Sequence, residues 1–434
     1  MMQTLRSALA LALLFVGLGA AKAAEPYLVA DAQTGEVLMQ NDASEPWFPA
    51  STTKLMTVYV ALNAVHDGRL TMDTPLKVSA RAARMPASKM GFRPGTLVTL
   101  DNALKMLMVK SPNDIAVTVA EGVSGSVEDF AAEMNATAKK LGMHESHFVN
   151  PNGLHNEDHY SSARDMAILA RALLKDFPDE TGLYSIGALQ LGDRIIRNHN
   201  GLIGRYPGAD GMKTGFTCPA GWNVVATAQR QGRRLIVVVF GAPSPRLRTN
   251  EAAMLFDRGF AMSGTGQTLD ALPAAAVTEP PNMRDVICRG RGRAAMIAMQ
   301  EDFVASAVAE SSAAFATGRN GVPMLAAAME APPAVGAIAD EKVTFDPVPV
   351  FIGAKPGWTG PILAARGAAE EEETSPVSAY SAQKDAKAPE AEAAKAALKS
   401  VVKPPVRLKG GHLTPQARAR KAAATRRVAA KKTQ

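Results

Sequence analysis

Strands at both ends of one stretch, with helices between them, most restrict what this chain can fold into. WNVVATAQR (222–230) and RRLIVVVFG (233–241) flank Gln231-Gly232, and a two-residue turn between such runs predicts an antiparallel hairpin. Near the start, YLVADAQTGEVLMQ (27–40) alternates, turns at Gln33-Thr34-Gly35 and alternates again, a second hairpin. Between them the apolar period is helical. In PASTTKLMTVYVAL (49–62), Leu55, Met56, Val58, Tyr59 and Leu62 predict a helix that buries most of its surface, with Ser51 and Lys54 in its first turn. Leu100–Val109 and Asn113–Glu121 predict two more. Ser126 with Asp129 starts another helix that Gly142 stops, and Ser162 with Asp165 starts the next. A helix through Asn250–Phe260 closes the unit. The simplest fold is α/β (α+β): one antiparallel sheet with helices on its faces and an all-helical insertion.

The chain of 434 residues, 47% hydrophobic and 21% charged, is long enough for two or three domains. Arg6 precedes the apolar run ALALALLFVGLGA (8–20), and Ala21-Lys22-Ala23 follows it. Such a run is too short to span a bilayer, so residues 1–23 read as a cleavable secretory signal and the mature chain is expected outside the cytoplasm. Residues 24–262 form the expected main domain, and 263–360 a small second domain or a linker that includes the strand-like KVTFDPVPVFIG. From 361 to 434 the chain has almost no large apolar residues and is expected to be disordered. Residues 401–434 carry ten Lys and Arg and no acidic residue, which leaves −3 of the net +7 for the rest. The basic tail reads as a solvated extension or as an electrostatic attachment to an anionic envelope surface. The export signal argues against a nucleic-acid partner. Cys218 and Cys288 fit one disulfide in an exported protein or two buried thiols; sequence does not supply the Cα separation that decides.

Ser51 and Lys54 carry the chemistry. Residues three apart share a helix face, so Lys54 can reach the Ser51 hydroxyl. An amine of ordinary pKa is protonated and a poor base; burial, the positive helix end and a second cation all favour its neutral form. A neutral Lys54 can take the Ser51 proton during attack on a carbonyl. S-x-x-K alone is weak, since Ser381-Ala-Gln-Lys384 repeats it in the tail. Two further elements strengthen it: Ser111-Pro112-Asn113 at a helix–helix junction and Lys213-Thr214-Gly215 just before the later hairpin.

Together the three motifs resemble those of penicillin-binding proteins and serine β-lactamases. The likeness is greatest to the low-molecular-mass D-alanyl-D-alanine carboxypeptidases, through PASTTKLMT, residues 147–171, DGMKTGFTCPAGWN (210–223) and RLRTNEAAMLFDRGF (246–260). The resemblance covers about residues 25–262 and implies a β-lactamase/transpeptidase-like fold. By position it implies Ser51 as acylated nucleophile, Lys54 as base, Ser111 and Asn113 on the opposite wall, and Lys213 beside the substrate. It further implies Thr214 and Arg248 on the peptide's terminal carboxylate, and backbone N–H groups of Ser51 and Phe216, next to Gly215, as oxyanion hole. Pro112 departs from the family, which usually has a small residue there. The substrates implied are peptidoglycan stem peptides ending in D-Ala-D-Ala, with β-lactams as covalent inhibitors and no metal or organic cofactor. A D,D-endopeptidase with the same residues is the nearest rival. A class A β-lactamase is weaker, because no Glu with Asn four positions later lies between Ser111 and Lys213; a zinc D,D-peptidase and a silent wall-binding protein come from other classes. His144-Glu-Ser-His147, His155 and His159 lack a third metal ligand and read as capping and packing residues.

Overall fold

The computed structural model describes residues 25–298, 301, 338 and 343–366. The expected signal, the basic stretch 401–434 and most of the expected tail lie outside them. In chain order the elements are β1 (Tyr27–Asp31), β2 (Val37–Asn41), α1 (Lys54–His66), β3 (Pro75–Lys77), α2 (Ala80–Ala83), β4 (Leu97–Thr99) and α3 (Leu100–Val109). There follow α4 (Asn113–Ser124), α5 (Val127–Leu141), α6 (Ala163–Asp176), β5 (Ala188–Leu191) and β6 (Arg194–Arg197). The last are β7 (Ala209–Thr217), β8 (Gly221–Arg230), β9 (Arg233–Ala242), α7 (Pro245–Ala261), α8 (Arg284–Ile287) and β10 (Val348–Val350).

The two expected hairpins join into one five-stranded antiparallel sheet in the order β2-β1-β9-β8-β7. The Asp31 carboxylate closes the first turn by accepting the N–H groups of Gln33 and Thr34. Strand alternation sorts the core into two faces. Val224, Ala226, Ala228, Leu235, Val237 and Val239 pack with α7 residues Ala252 to Phe256. Val225, Ile236, Val238 and Phe240 pack toward α6 and the helical lobe. Lys54 to Leu62 of α1 are all buried, as a helix at the centre of that lobe requires.

Local capping chemistry places the helix ends. Ser126 Oγ accepts from Asp129 N and Gly142 ends α5 at φ 78°; Ser162 Oγ accepts from Asp165 N at the start of α6. Two boundaries differ from expectation. Ser51 lies in a 3-10 turn, Ala50–Thr53, and the α-helix begins at Lys54. α7 starts at Pro245 rather than near Asn250, because Ser244 caps it and Pro245 fits its first turn. The polar Arg246, Arg248 and Thr249 hid that turn from the apolar period.

The described parts of 263–360 lie on the same compact unit as the sheet, rather than building a separate core. β10 adds in parallel to β5, whose other neighbour is β6. Gly353 N donates to Leu97 O, and Leu363 exchanges backbone bonds with Pro75 and Lys77 on the β3–β4 ribbon. Gly187 and Gly204 leave room for the Phe345 ring, which a Cβ at either position would strike. This strap is too short to bury its own apolar faces, so it borrows two existing sheets.

Candidate active site

The segment around Ser51 is clamped from both sides before any side chain acts. Trp47 Nε1 donates to Ala220 O at 2.9 Å, and Asn223 Nδ2 donates to the carbonyls of Phe48 and Pro49. On the β7 side, a Cβ at Gly215 would come within 2.9 Å of both Pro49 O and Ser51 N, so only glycine lets the strand lie this close. On the other side Gly153, at φ 79°, presses on the turn where a Cβ would overlap the Ala50 carbonyl oxygen. Asn150 Oδ1 holds that loop by accepting from Asn152 N and Gly153 N.

Lys54 is 0% exposed, and its side-chain nitrogen reaches three oxygens. Nζ lies 2.9 Å from Ser51 Oγ, 2.9 Å from Asn113 Oδ1 and 2.6 Å from the Asn152 carbonyl oxygen. Asn113 Nδ2 donates to Pro86 O, which turns Oδ1 toward the lysine. A neutral amine has two N–H donors and one lone pair. Asn113 Oδ1 and Asn152 O can only accept, so they take the two donors and leave the lone pair facing the Ser51 hydroxyl. Burial, then the nearby Lys213 ammonium, push the Lys54 pKa well below the ordinary lysine value against the opposing Asp114 carboxylate. Lys213 is itself lowered to about 7 by burial and by Arg248.

The remaining expected residues lie on or just before α4, and on β7 and α7. Ser111 sits at φ 60°, a conformation sparsely used by non-glycine residues and concentrated at functional sites; its buried Oγ has no hydrogen-bond partner. Pro112, at φ −73° and ψ 133°, is the N-cap of α4, where its missing N–H costs nothing. Asn113 N donates to Ser88 O at 2.7 Å. The departure at Pro112 thus leaves Asn113 on Lys54. β7 is the sheet edge, and its register pairs Thr214 with Val224, Gly215 with Asn223 and Phe216 with Trp222. Lys213 and Gly215 therefore face the nucleophile turn, while Thr214 and Phe216 share the α7 face, from which Arg248 rises in the first turn of the helix. Arg248 is 4% exposed, its Nε has no hydrogen-bond partner, and burial alone lowers it to about 10. Its Nη2 donates to Thr249 Oγ1 at 3.3 Å, and its charge lies close enough to lower Lys213.

The sequence reads His159 as a capping and packing residue, without showing that it supports the nucleophile turn. His159 Nδ1 accepts from Val149 N at 3.1 Å, which makes Nε2 the protonated nitrogen and the donor to Thr53 Oγ1 at 2.8 Å. Burial lowers His159 to about 3, in keeping with that neutral tautomer. Asn152 was missed, because it acts through its carbonyl oxygen. The cluster Asn150-Pro151-Asn152-Gly153 signals a turn, and nothing in it signals contact with residue 54. Among the described residues no group of three or more His, Cys, Asp or Glu could hold a metal. Cys218 and Cys288 form a disulfide with Cα atoms 5.7 Å apart, tying the β7–β8 turn to the end of α8.

The family model for D-alanyl-D-alanine carboxypeptidases, the S11 peptidases, matches residues 18–244. The chain belongs to this family. D-alanyl-D-alanine carboxypeptidase DacF of Bacillus subtilis is 38% identical over 246 residues, covering 56% of this chain and 63% of the relative. DacA of Haemophilus influenzae is 36% identical over 57% of this chain and 64% of the relative. The chain thus spans a little under two thirds of the length of these S11 relatives. Among solved structures, penicillin binding protein 5 from Haemophilus influenzae superposes with a TM-score of 0.53 at 35% identity, covering 55% of this chain and 71% of that one. Penicillin-Binding Protein D2 from Listeria monocytogenes, in its ampicillin bound form, gives 0.50 at 29% identity over 54% and 96% of the two chains. The S11 family and the transpeptidase-type fold follow from these matches together with the sheet described above.

Proposed function

We propose that this S11 chain is a serine D,D-carboxypeptidase that removes the terminal D-alanine from peptidoglycan stem peptides. The observation that carries the reading is the buried Lys54 amine, 2.9 Å from Ser51 Oγ, with burial and Lys213 both disfavouring its charge. Binding alone would not call for that arrangement; proton abstraction does.

In this mechanism the peptide lies along the free edge of β7, its terminal carboxylate on Thr214 and Arg248. Ser51 Oγ attacks the penultimate carbonyl while the Lys54 lone pair takes its proton. The oxyanion is met by the N–H groups of Ser51 and Phe216. Ser111 passes a proton to the departing D-alanine amine, and water then hydrolyses the Ser51 ester with Lys54 again as base. A β-lactam acylates Ser51 by the same attack, with ring opening in place of amine departure. Residues 1–23 serve as the export signal and place the enzyme outside the cytoplasm, in the periplasm. Among the described residues no helix is long and apolar enough to cross a membrane, and the basic tail supplies any attachment to an anionic envelope surface.

The test is intact mass spectrometry of the mature protein with a fluorescent penicillin, beside release of D-alanine from a pentapeptide. An adduct on Ser51 that EDTA leaves unchanged, together with D-alanine release, is the expected result. Ser51→Ala should label no more than background. No adduct and no release from folded protein would sink the proposal.

A further inference from the structure

The Phe216 side chain is unused by the chemistry above. It is 39% exposed, and its ring stacks on Trp222 with centroids 4.0 Å apart and planes at 27°. Its position is not accidental to the substrate track. A peptide added antiparallel to β7 runs with its C-terminus toward Ala209 and its N-terminus toward Thr217. With the terminal carboxylate on Thr214 and Arg248, the residues on the acyl side of the scissile bond must pass Phe216. The same face carries Thr214, Phe216 and Trp222, by the register. The platform is also held still. Two residues on, Cys218 is bonded to Cys288; Pro219 O accepts from Met283 N, and Ala220 O accepts from Trp47 Nε1.

We propose that the Phe216–Trp222 stack is a specificity platform for the acyl-side residue of the substrate, selecting one with a long methylene stem or a flat ring over one without a side chain. An exposed aromatic stack offers apolar area and a π face to methylenes and to a cation at their end. This inference rests on the carboxypeptidase reading.

The test compares kcat/KM of the mature full chain for Nα,Nε-diacetyl-L-Lys-D-Ala-D-Ala and N-acetyl-Gly-D-Ala-D-Ala. The ratio, lysyl over glycyl, is expected to be about ten in the wild type, and to fall roughly three- to ten-fold in Phe216→Ala and Trp222→Ala. Any effect of a variant on the common chemical step cancels in that ratio. Trp222→Phe keeps an aromatic partner and is expected to preserve most of it, which a role limited to holding the hairpin would not require of the ratio. A wild-type ratio near one overturns the inference without any variant, as does a ratio unchanged in both alanine variants. If neither peptide is cleaved and penicillin leaves Ser51 unmodified, the carboxypeptidase reading itself has failed. Cleavage of both peptides at equal rates removes the platform alone.

Discussion

The Asn152 carbonyl oxygen lies 2.6 Å from Lys54 Nζ, so a backbone atom from a turn almost a hundred residues away completes the surroundings of the candidate base. With Asn113 Oδ1 at 2.9 Å it takes up the two donors of a neutral amine. Ser51 is left on the lone pair, which ties the protonation state of one residue to the folding of three separate segments.

That dependence gives a pH prediction. The Lys54 pKa is lowered by burial and by Lys213, so acylation should rise with pH as Lys54 loses its proton well below the ordinary lysine range. Replacing Lys213 by Gln removes the neighbouring cation and lets the Lys54 pKa climb. The acid limb of kcat/KM should therefore move to higher pH in Lys213→Gln, as measured by penicillin acylation rates between pH 5 and 10. A limb that stays in place, or moves to lower pH, would contradict the coupling.

Asn113→Leu should slow acylation of Ser51 by roughly 10- to 100-fold. It leaves a Lys54 donor without an acceptor and the Pro86 carbonyl without a donor, an unsatisfied-group penalty of about 1–3 kcal/mol. Stopped-flow labelling with the fluorescent penicillin reads this directly; an unchanged rate would mean that the 2.9 Å contact contributes nothing.

Gly153→Ala should be far more damaging than Gly68→Ala. Both glycines have positive φ, 79° and 71°, so both substitutions carry a left-handed backbone cost of about 1–2 kcal/mol. Only at Gly153 would the new Cβ meet the Ala50 carbonyl oxygen, whereas at Gly68 nothing lies within 4 Å. Thermal melts and Ser51 labelling of the two variants separate packing from conformation; equal losses would show that φ alone matters.

His159 links stability to acid. Burial pushes its folded-state pKa down to about 3, against about 6.5 for an exposed imidazole, so the unfolded chain binds a proton that the folded one refuses. Stability from this residue is present above about 6.5 and is lost as pH falls toward 3, by up to about 1.4 kcal/mol per pH unit. His159→Asn should be less stable at pH 7 yet lose less Tm between pH 7 and 4 than the wild type. Parallel Tm profiles would refute the assignment.

Breaking the disulfide should destabilise the fold without removing the chemistry. Cys218 and Cys288 are 70 residues apart, and loop-closure entropy for a ring of that size is about 4 kcal/mol. Cys288→Ser should lower stability by a few kcal/mol in urea titration while Ser51 still labels. Loss of labelling in variant protein shown to be folded would mean that the turn after β7 holds the oxyanion site directly.

What the sequence determined by itself is what neighbours along the chain can settle. Gln231-Gly232 between two β-rich runs makes a hairpin wherever it sits. Ser126 with Asp129 and Ser162 with Asp165 cap helices through bonds three residues long. The three motifs single out Ser51, Lys54, Ser111, Asn113 and Lys213 as candidates because the chemistry proposed for them resides in side chains that the letters specify. Tertiary structure decided the rest. Asn152 acts through a carbonyl that every residue type carries, so its letter could not announce the contact. His159 is fixed as neutral by Val149 N and Thr53 Oγ1, partners that only folding brings to it. The Cys218–Cys288 choice turned on a Cα separation of 5.7 Å, and the strand-like KVTFDPVPVFIG named no partner for β10, which pairs with β5 across a gap of more than 150 residues. Local periodicity and side-chain identity are written in the order of residues; backbone atoms meeting across distant segments depend on the packed shape alone.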